Sequence, residues 1–236
     1  MPDTPRDPVR TRGRYTFTLD GGPAGMDERF VLGDIAPGVV RSRTTRVVGR
    51  PVGRLESDAR IAAGSLAVAV RWVGSSDGAA RDASAELTEG ADGVRATCVV
   101  EGTAYAEAHL PGRLNTLAHV LAGPLMQASL GGVDVVEPDL GTAGDPSAFL
   151  AAVATRWTTV AAGPAEVVVD GVAREGTAYL WTDARSGLDA HVVVDDGGLL
   201  LRSRLAAPDG LLEVTLTDVS GPWPRPADWF ADWFAE

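Results

Sequence analysis

The stretch LDAHVVVDDGGLLLRSRLA, residues 188–206, decides the fold. Its two apolar runs, Val192–Val194 and Leu199–Leu201, flank Asp195-Asp196-Gly197-Gly198. Glycine after aspartate supplies the positive φ that a tight chain reversal requires, so the stretch reads as two strands folded back on each other. Asp189 and His191 alternate with Ala190 and Val192, the two-residue period of a strand with one wetted and one buried face. The VVV and LLL runs are apolar on both faces, which a sheet tolerates only where something covers each.

The same signals extend in both directions. Downstream lies GLLEVTLTDV, and upstream lie RWTTVA, AEVVVDG and VAREGTAYLWT. Nearer the N-terminus, RYTFTL, MDERFVL, GVVRSRTTRVV, GRLESDARIA, SLAVAVRWV, ASAELTE, DGVRATCVV and GTAYAEAH alternate apolar with Arg, Asp, Glu, Ser or Thr, punctuated by Gly, Asp or Pro. This pattern favours antiparallel pairing, and because strands do not alternate regularly with helices, a doubly wound α/β sheet is disfavoured. EGTAY occurs at 101–105 and 175–179 without further identity around it, and reads as two strands of similar in-out chemistry.

The period changes at Pro111. In GRLNTLAHVLAGPLMQASL, Leu114, Leu117, Val120, Leu121, Leu125 and Met126 fall at helical spacing, predicting a helix from Arg113 to Leu130 that Gly123-Pro124 kinks or splits. A second, shorter helix is expected in GDPSAFLAAVATRW, capped by Asp145 with Pro146 in its first turn. The expected organisation is a disordered leader over 1–13, a single β-rich domain over 14–226 with a helical insertion at about 112–157, and an aromatic tail over 227–236. The fold class is mainly β (α+β), a strongly curved antiparallel sheet or half-barrel covered by two helices.

Composition narrows the function. The formal charge of −11 argues against a nucleic-acid partner, which needs a basic surface. All 21 basic residues are arginine, a pattern of high-GC bacterial coding. The single Cys98, within the alternating ATCVV, excludes an internal disulfide and is expected to be a buried, inert thiol. The Pro- and Arg-rich first dozen residues have neither signal-peptide nor anchor character, and no apolar run reaches the ~20 residues of a bilayer span. The expected location is the cytoplasm.

No motif argues for catalysis. His109, His119 and His191 lack metal-site spacing, so no metal and no cofactor is expected. His191 and Asp189 share a strand face and read as a surface pair, Asp195-Asp196 as solvated turn residues, and Asp134 and Glu137 as loop carboxylates. Neither a nucleophile elbow nor a phosphate loop is present.

The chain closes on ADWFADWFAE, residues 227–236. In an α-helix starting near Pro226, Trp229 with Trp233 and Phe230 with Phe234 form i,i+4 pairs in one aromatic stripe. The stripe completes the core, closes a ligand cavity, or docks a protein partner or a second copy. Asp228, Asp232 and Glu236 argue against stable membrane insertion.

The closing region, Trp181 to Pro226, resembles the bacterial lipoprotein-carrier superfamily of the LolA and LprG types. AHVVVDDGGLLLRSRLAA is similar to their strand, Asp-Gly turn, strand segment, and LLEVTLTDVSGPWPRP to their last long strand and Gly-Pro exit. The resemblance implies a bent antiparallel sheet whose helix-covered concave face encloses a cavity for acyl chains. The absent signal peptide and lipidation cysteine depart from those exported carriers.

The sequence thus points to binding or carriage of an apolar small molecule, a lipid, acyl chain or polyketide-like compound. The expected ligand-binding residues are Leu117, His119, Val120, Leu121, Met126, Tyr105, Tyr179, Trp181, Trp229 and Trp233. One alternative is a cofactor-independent cyclase or isomerase using the same cavity, with His119, Tyr105, Tyr179 and His191 as candidates. Another is an interaction module docking through its tail.

Overall fold

The computed structural model describes residues 9–49, 52–76, 79–100, 102–140, 149–207 and 209–234. Its strands form a single sheet in two arms. The first arm is a run of hairpins, β1 (Val9–Leu19), β2 (Gly22–Ala36), β3 (Val39–Gly49), β4 (Val52–Ala62), β5 (Ser65–Ser76), β6 (Ala79–Gly90), β7 (Gly93–Val100) and β8 (Thr103–Leu110). The second arm comprises β9 (Arg113–Leu114), β10 (Val133–Pro138), β11 (Ala152–Val169), β12 (Val172–Asp183), β13 (Leu188–Val194), β14 (Leu200–Ala207) and β15 (Gly210–Ser220). β1 pairs with β15 to join the arms, so the strand order runs from β8 inward to β1, then from β15 outward to β9. Every pairing of named strands is antiparallel except the short one between β9 and β10.

Chain connectivity forces this sheet to curl. β8 and β9 are its opposite edges, yet only Pro111 and Gly112 separate Leu110 from Arg113. Three Cα steps of ~3.8 Å reach at most about 11 Å, so the two edges must approach there. Gly112 has φ +130, and a Cβ on it would lie 2.6 Å from the Asp134 carbonyl oxygen. Beyond this hinge the meeting is held by side chains, Glu89 of β6 accepting from the Leu114 N–H at 2.7 Å and from Arg113 Nη1 at 3.1 Å. Among the described residues no ladder joins β8 to β9, and the barrel-like sheet remains open there.

The inward set of alternate residues makes the core. In the first arm it includes Phe30, Leu55, Ile61, Val70, Trp72 and Leu87, all but excluded from solvent. Cys98 is buried there, its thiol bonded to the Phe149 carbonyl at 3.4 Å and its pKa raised by burial. The outward set is polar and laced with exposed ion pairs such as Arg71–Asp82, which contribute little individually.

Helix α1 (His119–Ala128) lies against the inner face and is shorter than expected. Arg113 and Leu114 are strand instead, because Leu114 pairs beside Val136 and is buried. The helix runs through Pro124, and Gly123 sits so close to the turn after β13 that an added Cβ would fall 2.0 Å from the Gly198 oxygen. The second expected helix is a correction. Residues Ala152–Trp157 belong to β11, with Thr155 and Trp157 buried on one face and Ala154 and Arg156 exposed on the other. An alanine-rich segment fits either period, and the pairing of Trp157 with Val133 decides it. The proposed caps Asp145 and Pro146 lie outside the described residues.

β1 begins at Val9, inside the expected leader, where Thr11 is buried and donates to the Pro222 carbonyl at 2.9 Å. The tail is also corrected. Pro226–Phe234 is 3-10 rather than α-helical and breaks at Phe230, so the α-helical backbone expected to carry i,i+4 pairs is absent there, while the side chains of Trp233 and Phe234 lie outside the described residues. Phe230 is nevertheless buried and Trp229 half-buried, both packed on the core. Among the described residues, no helix is long and apolar enough to cross a membrane.

Candidate functional site

Glu28 is the buried centre of the candidate site. On β2 it shares the inward phase of Met26, Phe30 and Leu32, so a carboxylate sits where the alternation demands an apolar side chain. Its Oε2 accepts from Arg46 Nε at 2.8 Å, from Arg46 Nη2 at 2.6 Å and from His119 Nδ1 at 2.9 Å. Its Oε1 accepts the His119 backbone N–H at 2.9 Å. That last bond caps α1 from another strand, since Ala118 at the N-cap has no side chain to do so.

These contacts set the charge states. Burial alone would raise the Glu28 pKa, but the Arg46 guanidinium and His119 more than reverse it and hold the carboxyl at about 2. Burial lowers the His119 pKa below its ordinary value against the opposing pull of Glu28, so the imidazole is neutral at neutral pH. Arg46 Nη2 also stands 3.0 Å from Nδ1, but its two hydrogens go to Glu28 and the Leu117 carbonyl; with the ionised carboxylate able only to accept, the proton is assigned to Nδ1 and the lone pair to Nε2.

The segment leading into α1 is held from several strands. Leu117 has φ +61, a left-handed conformation that is strained for leucine. Its carbonyl accepts from Arg46 Nη2, and its N–H bonds Asn115 Oδ1 at 3.0 Å. Ser57 of β4 donates to the Thr116 carbonyl at 3.1 Å, and Asn115 Nδ2 donates to Glu137 of β10 at 2.8 Å. Four strands therefore fix one strained turn, the arrangement expected of a pre-organised site rather than a passive connection.

Above this cluster lies a cavity of about 440 Å³, within the roughly 300–1,000 Å³ range of small-molecule sites. It straddles the seam between the arms, with Phe17, Met26 and Val48 on one side and Val192, Leu205, Leu212 and Val214 on the other. α1 contributes His119, Ala122 and Met126. Trp157 and Trp181 close one end, packed edge to face with ring centroids 5.1 Å apart, and neither buried indole N–H meets an oxygen or nitrogen acceptor among the described residues. Among the described residues, the remaining wall is polar only at Arg46, Asn115, His119, Glu137 and Ser203. Burial raises the Glu137 pKa, the Asn115 amide partly opposing it.

Of the residues expected to bind ligand, Leu117, His119, Met126 and Trp181 line the cavity. Val120, Leu121 and Tyr179 are buried in the core, and none of them lines it. Trp229 sits beside Phe230 near Leu66, away from it. The side chains of Tyr105 and Trp233 lie outside the described residues. His191 is exposed, and Asp189 accepts from Thr182 at 2.7 Å. Asp195 is a correction, being a buried anchor that takes the Leu199 N–H at 2.7 Å and the Trp223 indole at 2.6 Å rather than a solvated turn residue. Glu137 likewise lies on β10, half-buried, rather than in a loop. Glu28, Arg46, Asn115 and Trp157 were not anticipated. Among the described residues, no cluster of three His, Cys, Asp or Glu could hold a metal.

No family model and no curated protein matches this chain. Among solved structures it is similar to a β-barrel-like protein of the domain of unknown function DUF1849 from Brucella abortus, with 10% identity and a TM-score of 0.51 over 91% of this chain and 98% of that one. MucB, solved in complex with MucA(peri), aligns at 15% identity and a TM-score of 0.34, covering 91% of this chain and 52% of MucB. The chain spans about half of MucB's length, and that likeness is too low to carry an argument. The Brucella protein shows the fold alone.

Proposed function

We propose that this protein binds or carries an apolar small molecule in the cavity beneath α1. The observation that carries the reading is the wall itself, built mainly of apolar side chains from both arms of the sheet with its polar groups confined to a few positions. Removing a ligand's apolar surface from water there contributes about 25 cal/mol per Å², sufficient for retention without covalent attachment. A barrel-like fold is compatible with such a carrier, as is the resemblance of the closing strands to the LolA and LprG types.

Native mass spectrometry of the freshly purified protein, followed by solvent extraction, tests this directly. A reproducible co-purified apolar compound is expected. Ala122→Trp, which adds an indole to the cavity wall, is expected to keep the β-sheet circular dichroism and weaken hydrophobic-dye binding at least tenfold. A clean apo mass together with no dye binding by the wild type overturns the proposal.

The paired Glu28 carboxylate and His119 imidazole support a second reading, in which Nε2 acts as general base on a bound substrate in an isomerase- or cyclase-type reaction. Its test is conversion of the extracted compound by wild type and its loss in His119→Gln.

A further inference from the structure

The polar end of the cavity has two groups left over after its internal bonding is complete. Arg46 commits Nε and Nη2 to Glu28 and the Leu117 carbonyl, so the two N–H groups of Nη1 have no hydrogen-bond partner among the described residues. His119 commits Nδ1 to Glu28, leaving Nε2 without a hydrogen-bond partner among the described residues. Both residues line the cavity while keeping only 15% and 19% of their side chains accessible. A cationic donor and a basic acceptor therefore border the same apolar space.

The charges around them decide what fits. His119 is faced by Tyr15 and Phe17 from β1, Glu28 from β2 and Arg46 from β3, and Glu137 of β10 stands on the same cavity wall. The Tyr15 hydroxyl donates to the Leu200 carbonyl at 2.9 Å and stays neutral. The ionised Glu28 and Arg46 cancel, and neutral His119 adds nothing, so these three groups together carry no net charge, while burial raises the pKa of Glu137 on the facing wall. A dianionic head would leave uncompensated charge in a buried site, which is costly. A monoanion that brings one proton keeps the cluster neutral, its charge matched by the imidazolium that forms at Nε2.

Resting on the cavity-binding reading above, we propose that the ligand is an amphiphile with a single carboxylate head, held between Arg46 Nη1 and His119 Nε2, and that its binding takes up one proton onto His119. The balance is simple. Free carboxylate, neutral protein and one proton from solvent give carboxylate hydrogen-bonded to imidazolium, and no covalent bond is made or broken.

The experiment is isothermal titration of the whole chain with dodecanoate, methyl dodecanoate and dodecan-1-ol, at pH 7.5 in buffers of different ionisation enthalpy. The acid is expected to bind at least tenfold more tightly than the ester, with about one proton taken up per acid and none per ester or alcohol, and its affinity falls as pH rises further. His119→Gln is expected to abolish both the proton uptake and the acid preference. Equal affinity for all three probes overturns the head-group site and leaves the cavity-binding reading standing. Tighter acid binding without proton uptake overturns the role of His119, and failure of every probe to bind overturns both proposals.

Discussion

Replacing Glu28 with glutamine removes one charge from the centre of the site and changes almost no volume. Holding this carboxyl at about 2 instead of 4.5 amounts to roughly 2.5 pKa units, or about 3 kcal/mol of stability at neutral pH at 1.36 kcal/mol per unit. Leaving Arg46 half-buried without its counter-charge falls in the same range, since breaking a buried pair by deleting one partner costs about 3–5 kcal/mol. Glu28→Gln is therefore expected to lose about 3 kcal/mol in urea unfolding at pH 7. The folded pKa lies below the unfolded one, so the contribution is complete above pH 4.5 and disappears as pH falls from 4.5 toward 2. His119 also titrates, its lowered pKa penalising the folded state as pH falls below 6.5. The pH series is accordingly run on His119→Gln with and without Glu28→Gln, where the gap in stability must narrow on acidification. A loss under 1 kcal/mol at pH 7, or a gap that does not change with pH, would refute the assigned electrostatics.

Gly123→Ala forces a methyl to within 2.0 Å of the Gly198 oxygen, and lifting α1 from the turn is expected to cost about 1–3 kcal/mol by chemical denaturation. Phe230→Ala empties a buried position in the tail and should cost about 3 kcal/mol, whereas a tail that serves only to dock a partner would lose nothing. Trp223→Phe leaves Asp195 Oδ2 without its indole donor, and a loss of about 2 kcal/mol in thermal or urea unfolding is expected.

The sheet was legible because two-residue alternation and Asp-Gly reversals are local signals, and the hairpins of residues 188–206 and their neighbours read directly. The helical assignments fared worse for a physical reason. In 152–157 alanine and valine satisfy both periods, and only pairing with β10 settles the choice. Leu114 and Leu117 fit the helical spacing, but one is a buried strand residue and the other a strained turn residue that no periodicity encodes. The site was half legible. His119 is among the residues expected to bind ligand, yet its partners come from strands 91 and 73 positions away. A signal did exist, since Glu28 and Arg46 both fall in phase with the buried residues of their strands instead of the exposed ones. An ionisable residue on the apolar phase marks either an error of register or a buried pair.

The seam between β1 and β15 also bears on how the molecule comes together. The first arm and the β11–β15 part of the second are successions of neighbouring hairpins that can form early and locally, whereas the seam places Arg12 opposite Ser220, roughly two hundred positions apart. Closing so long a stretch of chain has an entropic cost that nothing offsets until the contacts behind it are made, and pairings of this kind slow folding. The cavity wall is shared across that seam, so it does not exist in either arm alone. A ligand that touches both arms would act as a brace on the last step of assembly, slowing unfolding more than it speeds the formation of either half.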